Sequence, residues 1–350
     1  MTGIRARGED VRRYILDNVE KHPANISSVV AGHFKITRQA VNKHLQRLTA
    51  EGALSESGKT RNRAYKLSAL ARWNKSYEIS AGLAEDQVWI NDIRPFLGKL
   101  PDNVMSIWQY GFTEMFNNAI EHSGGTRIIV TASRTASNTE MSILDDGVGI
   151  FKKIQSASGL LDERHAVLEL AKGKFTTDPK HHTGEGIFFS SRMFDNFIIL
   201  SGKVYFSHHF GQDEDWILER AENPGTYVQM KLSNHTARTV TKIFDQFSSG
   251  EDYGFNETIV PVDLAQYGDD KLVSRSQAKR VLSRIELFKK AIFDFTGVES
   301  IGQAFADEIF RVFANQHPEI ELIAIKANSA VKRMIDRAKS GGAAGETGTT

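Results

Sequence analysis

Glu114 and Asn118 stand four residues apart in WQYGFTEMFNNAIEH, which on a helix puts a carboxylate and an amide on one face. Such a pair can position a water and hold a magnesium ion, which takes only one or two protein ligands and fills its octahedron with water and phosphate oxygens. Further on, LDDGVGIF places Asp145 at the end of a strand-like run, with Gly147 and Gly149 after it. A carboxylate there can accept the amino hydrogen of a base, and the glycines let the backbone approach a flat ligand. In HHTGEGIFFSS, Gly184 and Gly186 open an apolar helix, whose first N–H groups can cradle phosphates. Taken singly these signals are weak. Glu and Asn at this spacing decorate many solvated helices, and glycine loops also close α/β sandwiches that hold no nucleotide.

The elements that must position these residues follow from periodicity. Met105 to His122 has the helical period, and Arg127–Ser133 and Glu140–Leu144 read as strands rich in β-branched residues. Asp162–Ala171 reads as a helix inside the 151–183 segment that separates the two glycine motifs. That segment is expected to form a lid, with Lys174, Thr176, Thr177 and Thr183 in reach of a triphosphate; a solvated basic loop is the alternative. The pairs His181-His182 and His208-His209 lack a third ligand, so loop and strand positions are expected rather than a metal site.

The ordered set of motifs resembles the GHKL ATPases, the class of gyrase B, Hsp90, MutL and the histidine kinases: ExxxNA at Glu114, Asn118 and Ala119, DxGxG at Asp145, Gly147 and Gly149, and GxG at Gly184 and Gly186. Gly225-Thr226 before YVQMKLS resembles the last box. The resemblance implies a Bergerat α/β sandwich over residues 101–233 binding ATP and Mg2+. It makes Asp145 the adenine acceptor, Asn118 the magnesium ligand, and Glu114 the group that activates a water or an acceptor hydroxyl. His122, Gly147, Gly149, Lys174, Thr183, Gly184, Gly186 and Thr226 complete the implied cofactor-binding set.

Charge is unevenly spread. Residues 1–75 hold fifteen Lys/Arg against six Asp/Glu, while the whole chain nets only +1, so a basic first module precedes an acidic body. Residues 9–22, 25–34 and 37–52 read as three helices, followed by two strand-like pieces around Ser57-Gly58-Lys59. This pattern over residues 1–70 resembles the winged helix-turn-helix of transcription regulators, whose third helix enters the major groove. The resemblance turns Thr37, Arg38, Gln39, Asn42, Lys43 and Arg47 toward double-stranded DNA and puts Lys59, Arg61 and Arg63 on the wing. Arginine and glutamine can read base edges, and lysine mostly finds phosphate; use of the module for protein contacts is the alternative. Residues 71–100 are expected to be a linker with a helix leading into the ATPase domain.

Beyond residue 237 strands and helices alternate, as in a small α/β layer fold, and residues 338–350 form a tail of small residues. Arg275–Lys290 is expected to be one amphipathic helix. DFTGVESI followed by a helix resembles STAS-like domains, the anti-anti-sigma fold, and implies a protein partner for residues 237–337. Phosphorylated STAS domains carry a serine where the helix begins; here that place falls near Gly302 or Gln303, and Ser300 is two residues early.

The expected architecture is therefore multidomain α+β: winged helix, GHKL sandwich, then STAS-like domain. The absence of cysteine rules out disulfides, zinc-thiolate sites and a thiol nucleophile, and the lack of an apolar run of about 18 residues argues against a membrane span. With no signal-like start, a cytoplasmic protein is expected, with a homodimer as one option. The leading expectation is an ATP-responsive DNA-binding regulator. The alternative is a serine protein kinase of the anti-sigma type. A histidine kinase fits less well, because no histidine sits in a long helical hairpin before the site.

Overall fold

The computed structural model describes residues 2–58, 62–160, 162–175, 184–211, 216–248, 254–266 and 271–340. Lys59, Arg61, Thr176, Thr177, His181, His182 and Thr183, with the tail from residue 341, lie outside the described residues.

The first module has its own core. Helices α1 (Thr2–Asn18), α2 (Ile26–Phe34) and α3 (Arg38–Ala50) meet through Val11, Ile15, Val30, Val41, Leu45 and Leu48. Strands β1 (Leu54–Ser57) and β2 (Ala64–Leu67) pair as an antiparallel hairpin and add Leu54 and Tyr65 to the same cluster. Thr37 caps α3, its Oγ1 accepting the Ala40 N–H at 3.2 Å. The first helix begins seven residues earlier than periodicity suggested and stops at Asn18, short of His22-Pro23, where the residue before proline disfavours helix.

The central layer is a five-stranded antiparallel sheet in the order β3-β4-β5-β7-β6, with β3 Ala71–Glu78, β4 Arg127–Arg134, β5 Asn138–Asp145, β6 Asn196–His209 and β7 Trp216–Ser233. Helix α4 (Asp102–His122) packs on one face because Val104, Ile107, Trp108, Phe112, Met115, Phe116 and Ala119 recur at three- and four-residue steps and are all buried. Gly111 lies in that stripe, and a β-carbon there would run into the Phe194 ring. The opposite sheet face is polar: the Thr131 and Ser142 hydroxyls meet at 2.7 Å, and Gln229 donates to Glu140. One dry face and one polar face are what an antiparallel sheet covered on a single side requires. Residues 71–100, expected as a linker with a helix leading into the next domain, contribute edge strand β3, then helical turns that bury Val88, Trp89, Ile93 and Leu97.

Helices α5 (Ile150–Ser158), α6 (Glu163–Lys172) and α7 (Gly186–Met193) lie between β5 and β6 in the chain. After a short helix α8 (Val240–Asp245) comes a parallel three-stranded sheet, β8 (Glu257–Pro261), β9 (Lys290–Asp294) and β10 (Glu321–Ile325), with β9 in the middle. Parallel neighbours need crossover helices, supplied by α9 (Arg275–Leu282) and by α10 (Gln303–Asp307) with its irregular continuation to Gln316. A last helix, α11 (Ser329–Ser340), buries Val331, Ile335 and Ala338. The helix expected over 275–290 ends at Leu282: Arg284 takes a left-handed φ of 63° and β9 starts at Lys290. One apolar cluster runs without a break from Tyr77 to Ala338, so the central and C-terminal layers share a core.

Candidate functional site

The apolar stripe of α4 fixes what its flank can do. Met115 and Ala119 belong to the buried stripe; Glu114, Asn118 and His122 emerge half-buried beside them, and all five line one cavity of about 300 Å³. The same cavity is lined by Asp145, Gly184, Gly186 and Thr226. Four sequence motifs spread over 113 residues thus converge on one space. Its remaining walls are mainly aliphatic, including Ile143, Ile154, Ile187 and Val228.

Asp145 ends β5 and is 5% exposed. Its Oδ1 accepts the backbone N–H of Gly147 at 2.9 Å and of Thr226 at 3.2 Å. Burial pushes its carboxyl above the usual aspartate value, against the pull of the Gly147 and Thr226 hydrogen bonds. Asp146, next to it, has the opposite environment: the Thr126 hydroxyl and the Thr126 and Arg127 N–H groups hold it down to about 2. Asp146 therefore staples β4 to β5, and Asp145 faces the cavity.

Gly147 and Gly149 shape the loop rather than line the space. A β-carbon on Gly147 would meet the Ser123 backbone, and Gly149, at φ 89°, would meet the Ser201 hydroxyl at 2.6 Å. Across the loop the Ile150 N–H donates to Thr226 Oγ1 at 3.0 Å, which fixes the start of α5 beside Asp145. At the start of α7, a β-carbon on Gly186 would strike the Glu114 carboxylate. Burial and the neighbouring Glu114 and Glu185 carboxylates push the Tyr110 phenol well above its ordinary value. Among the described residues no cluster of three His, Asp or Glu side chains could hold a metal unaided.

Sequence reasoning missed Lys153. It lines the cavity and donates to the last-turn carbonyl of His122 at 2.8 Å, capping α4. Its position in KKIQ carries no signal, since the partner carbonyl is 31 residues away.

On α3, Thr37, Arg38, Gln39, Asn42, Lys43 and Arg47 are all exposed, opposite the buried Val41, Leu45 and Leu48. Arg47 is ion-paired with Glu51 at 2.9 Å and Arg63 with Glu56 at 3.7 Å. The module rests on the central sheet through Ser137, which donates to Asp17 at 2.7 Å, and the Lys231–Glu20 ion pair at 2.9 Å.

The parallel strands β9 and β10, with the helix α10 between them, have a match among protein families. Residues 277–332 fit the family described as a STAS-like domain of unknown function (DUF4325). The C-terminal domain is STAS-like. No curated protein matches the chain. In the STAS-like domain Gly302 is the N-cap of α10, and a β-carbon there would press on Val273 at 2.7 Å. Ser300 precedes it by two residues.

The STAS-like domain also accounts for Lys174. Instead of lining the cavity, its ammonium donates to the Leu287 carbonyl at 2.9 Å and sits 4.7 Å from the centre of the Phe288 ring. Leu170 and Phe175, on the same stretch of chain, do line the cavity. Residues 162–175 are thus a wall shared between the cavity and the STAS-like domain.

Proposed function

We propose that the chain is an ATP-binding regulator in which a GHKL-type nucleotide site is joined to a winged-helix DNA reader and a partner-binding STAS-like domain. The observation that carries this reading is the convergence of Glu114, Asn118, Asp145, Gly186 and Thr226 on one cavity with aliphatic walls and a buried carboxylate. A flat, apolar base carrying an amino group suits that pairing, because Asp145 can accept its hydrogen inside a slot from which water is displaced.

The donor set also fits magnesium. Glu114 and Asn118 offer a carboxylate and an amide oxygen one turn apart, and Gly186 leaves open the space that a side chain would take from Glu114. In this proposal Asn118 supplies the protein ligand, bound magnesium offsets phosphate charge, and Glu114 orients the attacking water. The exposed face of α3, with Arg38, Gln39, Asn42 and Lys43, is the proposed major-groove surface, and its basic charge supplies affinity for phosphate.

Two assays test this. DNA binding is measured with and without ATP and magnesium; salt-sensitive binding that responds to nucleotide supports the proposal, and no DNA binding in either condition removes the reader. Incubation with γ-labelled ATP separates the chemistries: free phosphate marks an ATPase, whereas label on protein moves the site to the serine-kinase reading, in which Glu114 serves a hydroxyl acceptor.

A further inference from the structure

Helices α6 and α9 end against each other, and each is capped by a cation from the other side. Lys172, the last residue of α6, is fully buried, and its ammonium donates to Glu169 at 2.8 Å and to the Arg280 and Ser283 carbonyls at 3.0 and 2.9 Å, at the C-terminus of α9. In return Arg284, just past α9, donates to the Gly173 carbonyl at 2.6 Å, at the C-terminus of α6, and pairs with Glu169 at 3.1 Å. Cations at helix C-termini satisfy carbonyls that have no partner within the helix and offset the helix dipole. The exchange is reciprocal, so neither helix can leave without uncapping both.

Two further bonds lie beside it. The buried Thr258 hydroxyl on β8 donates to the Lys172 carbonyl at 2.6 Å, and Lys174 donates to Leu287. All these partners belong to the C-terminal layer, whereas Leu170 and Phe175, between and beside the latched residues, form cavity wall. The wall also meets the central sheet, where the Glu163 carboxylate lies against Gly202 on β6, so the part that the STAS-like domain holds is its C-terminal end, from Glu169 to Lys174.

We propose that this cross-capped pair is a latch by which the STAS-like domain holds the α6 wall of the cavity in place, so that ligand access and STAS-like docking are coupled. Any partner that draws the STAS-like domain away opens the cavity, and any ligand that fills the cavity strengthens the docking by the same factor. The proposal rests on the cavity being a ligand site but not on the ligand being ATP.

The chain contains no cysteine, so a single thiol can report on the cavity. Ala119→Cys in the full chain puts that thiol on the wall, and its rate of modification by a small methanethiosulfonate reagent measures access. Arg284→Ala is expected to raise the rate tenfold or more, and Thr258→Val, which removes one neutral hydrogen bond, about fivefold. A control thiol, Lys43→Cys on α3, is expected to react at the same rate in every background. Unchanged Ala119→Cys modification in a folded latch variant overturns the proposal, and Thr258→Val carries the test where Arg284→Ala does not fold. ATP with magnesium forms a separate arm. Faster labelling on unlatching without protection by ATP keeps the latch and removes the nucleotide reading; ATP protection with no effect of unlatching does the reverse.

Discussion

The Glu114 carboxylate lies against the Cα of Gly186, in the space that a β-carbon on residue 186 would need. The contact joins α4 to the start of α7 across 72 residues and makes the second glycine of GEG a steric condition for the position of the glutamate. Gly186 opens its helix outside the left-handed region, so alanine there meets no backbone strain. Gly186→Ala is nonetheless expected to lose nucleotide turnover, because Glu114 must move. In the double variant with Glu114→Ala, thermal stability is expected to recover while turnover stays absent. A Gly186→Ala protein with normal turnover contradicts the role given to Glu114.

Burial of Asp145 works against the charged form of its carboxyl and so does not serve stability at neutral pH. Its raised pKa means that the folded chain disfavours the charged form, so its contribution to stability is fully present below the unfolded value near 3.8 and is lost as pH rises through the folded one. At neutral pH it is a cost. Asp145→Asn retains an oxygen for the Gly147 and Thr226 N–H groups and is expected to melt at the same temperature or higher. Its affinity for ATP is expected to fall ~10- to 100-fold, the worth of about 1.5–3 kcal/mol for a hydrogen bond to a charged group. Paired melting curves and titrations check this; a large drop in melting temperature contradicts it.

The α6–α9 contact also predicts a pH response. His165 is 3% exposed, and its Nε2 lies 2.9 Å from the Arg280 guanidinium, which can only donate, so this nitrogen accepts. Burial first, and Arg280 second, lower its pKa from 6.5, against Asp162 and Glu169. Because the folded value is depressed, the stabilising contribution is complete above pH 6.5 and declines as pH falls through the folded value. Melting temperature is expected to fall between pH 7.5 and 5.5, and His165→Gln to flatten that slope. An identical slope in both proteins contradicts the assignment.

Much of this could be read in the sequence, and the parts that could not have two causes. The helix at 102–122 and the strands at 127–134 and 138–145 follow from periodicity, since their apolar residues face one side. The chemistry-bearing flank followed with them, because Glu114 and Asn118 had no other side to occupy. Strand β3 did not, since ARWNKSYE buries only Tyr77 fully and reads as polar at an edge. The early end of α9 and the redirection of Lys174 depend on Glu169, Gly173 and Leu287, more than 100 residues away in each case. Such pairings leave no local periodicity to detect.

The α3 surface makes a graded prediction. Arg38 and Lys43 are exposed with no ion pair among the described residues, and replacing either by alanine is expected to weaken DNA binding and lower the salt slope by about one. Arg47, already paired with Glu51, is expected to contribute less. Equal losses at all three positions in a binding titration over ionic strength contradict this ordering.

Calorimetric titration of the full chain with ATP and magnesium decides whether the cavity is a nucleotide site. Saturable, magnesium-dependent binding of a single ATP per chain is expected, weakened in Asp145→Asn and in Asn118→Ala while both variants remain folded. Absence of binding at millimolar ATP, or undiminished binding in Asp145→Asn, contradicts that expectation.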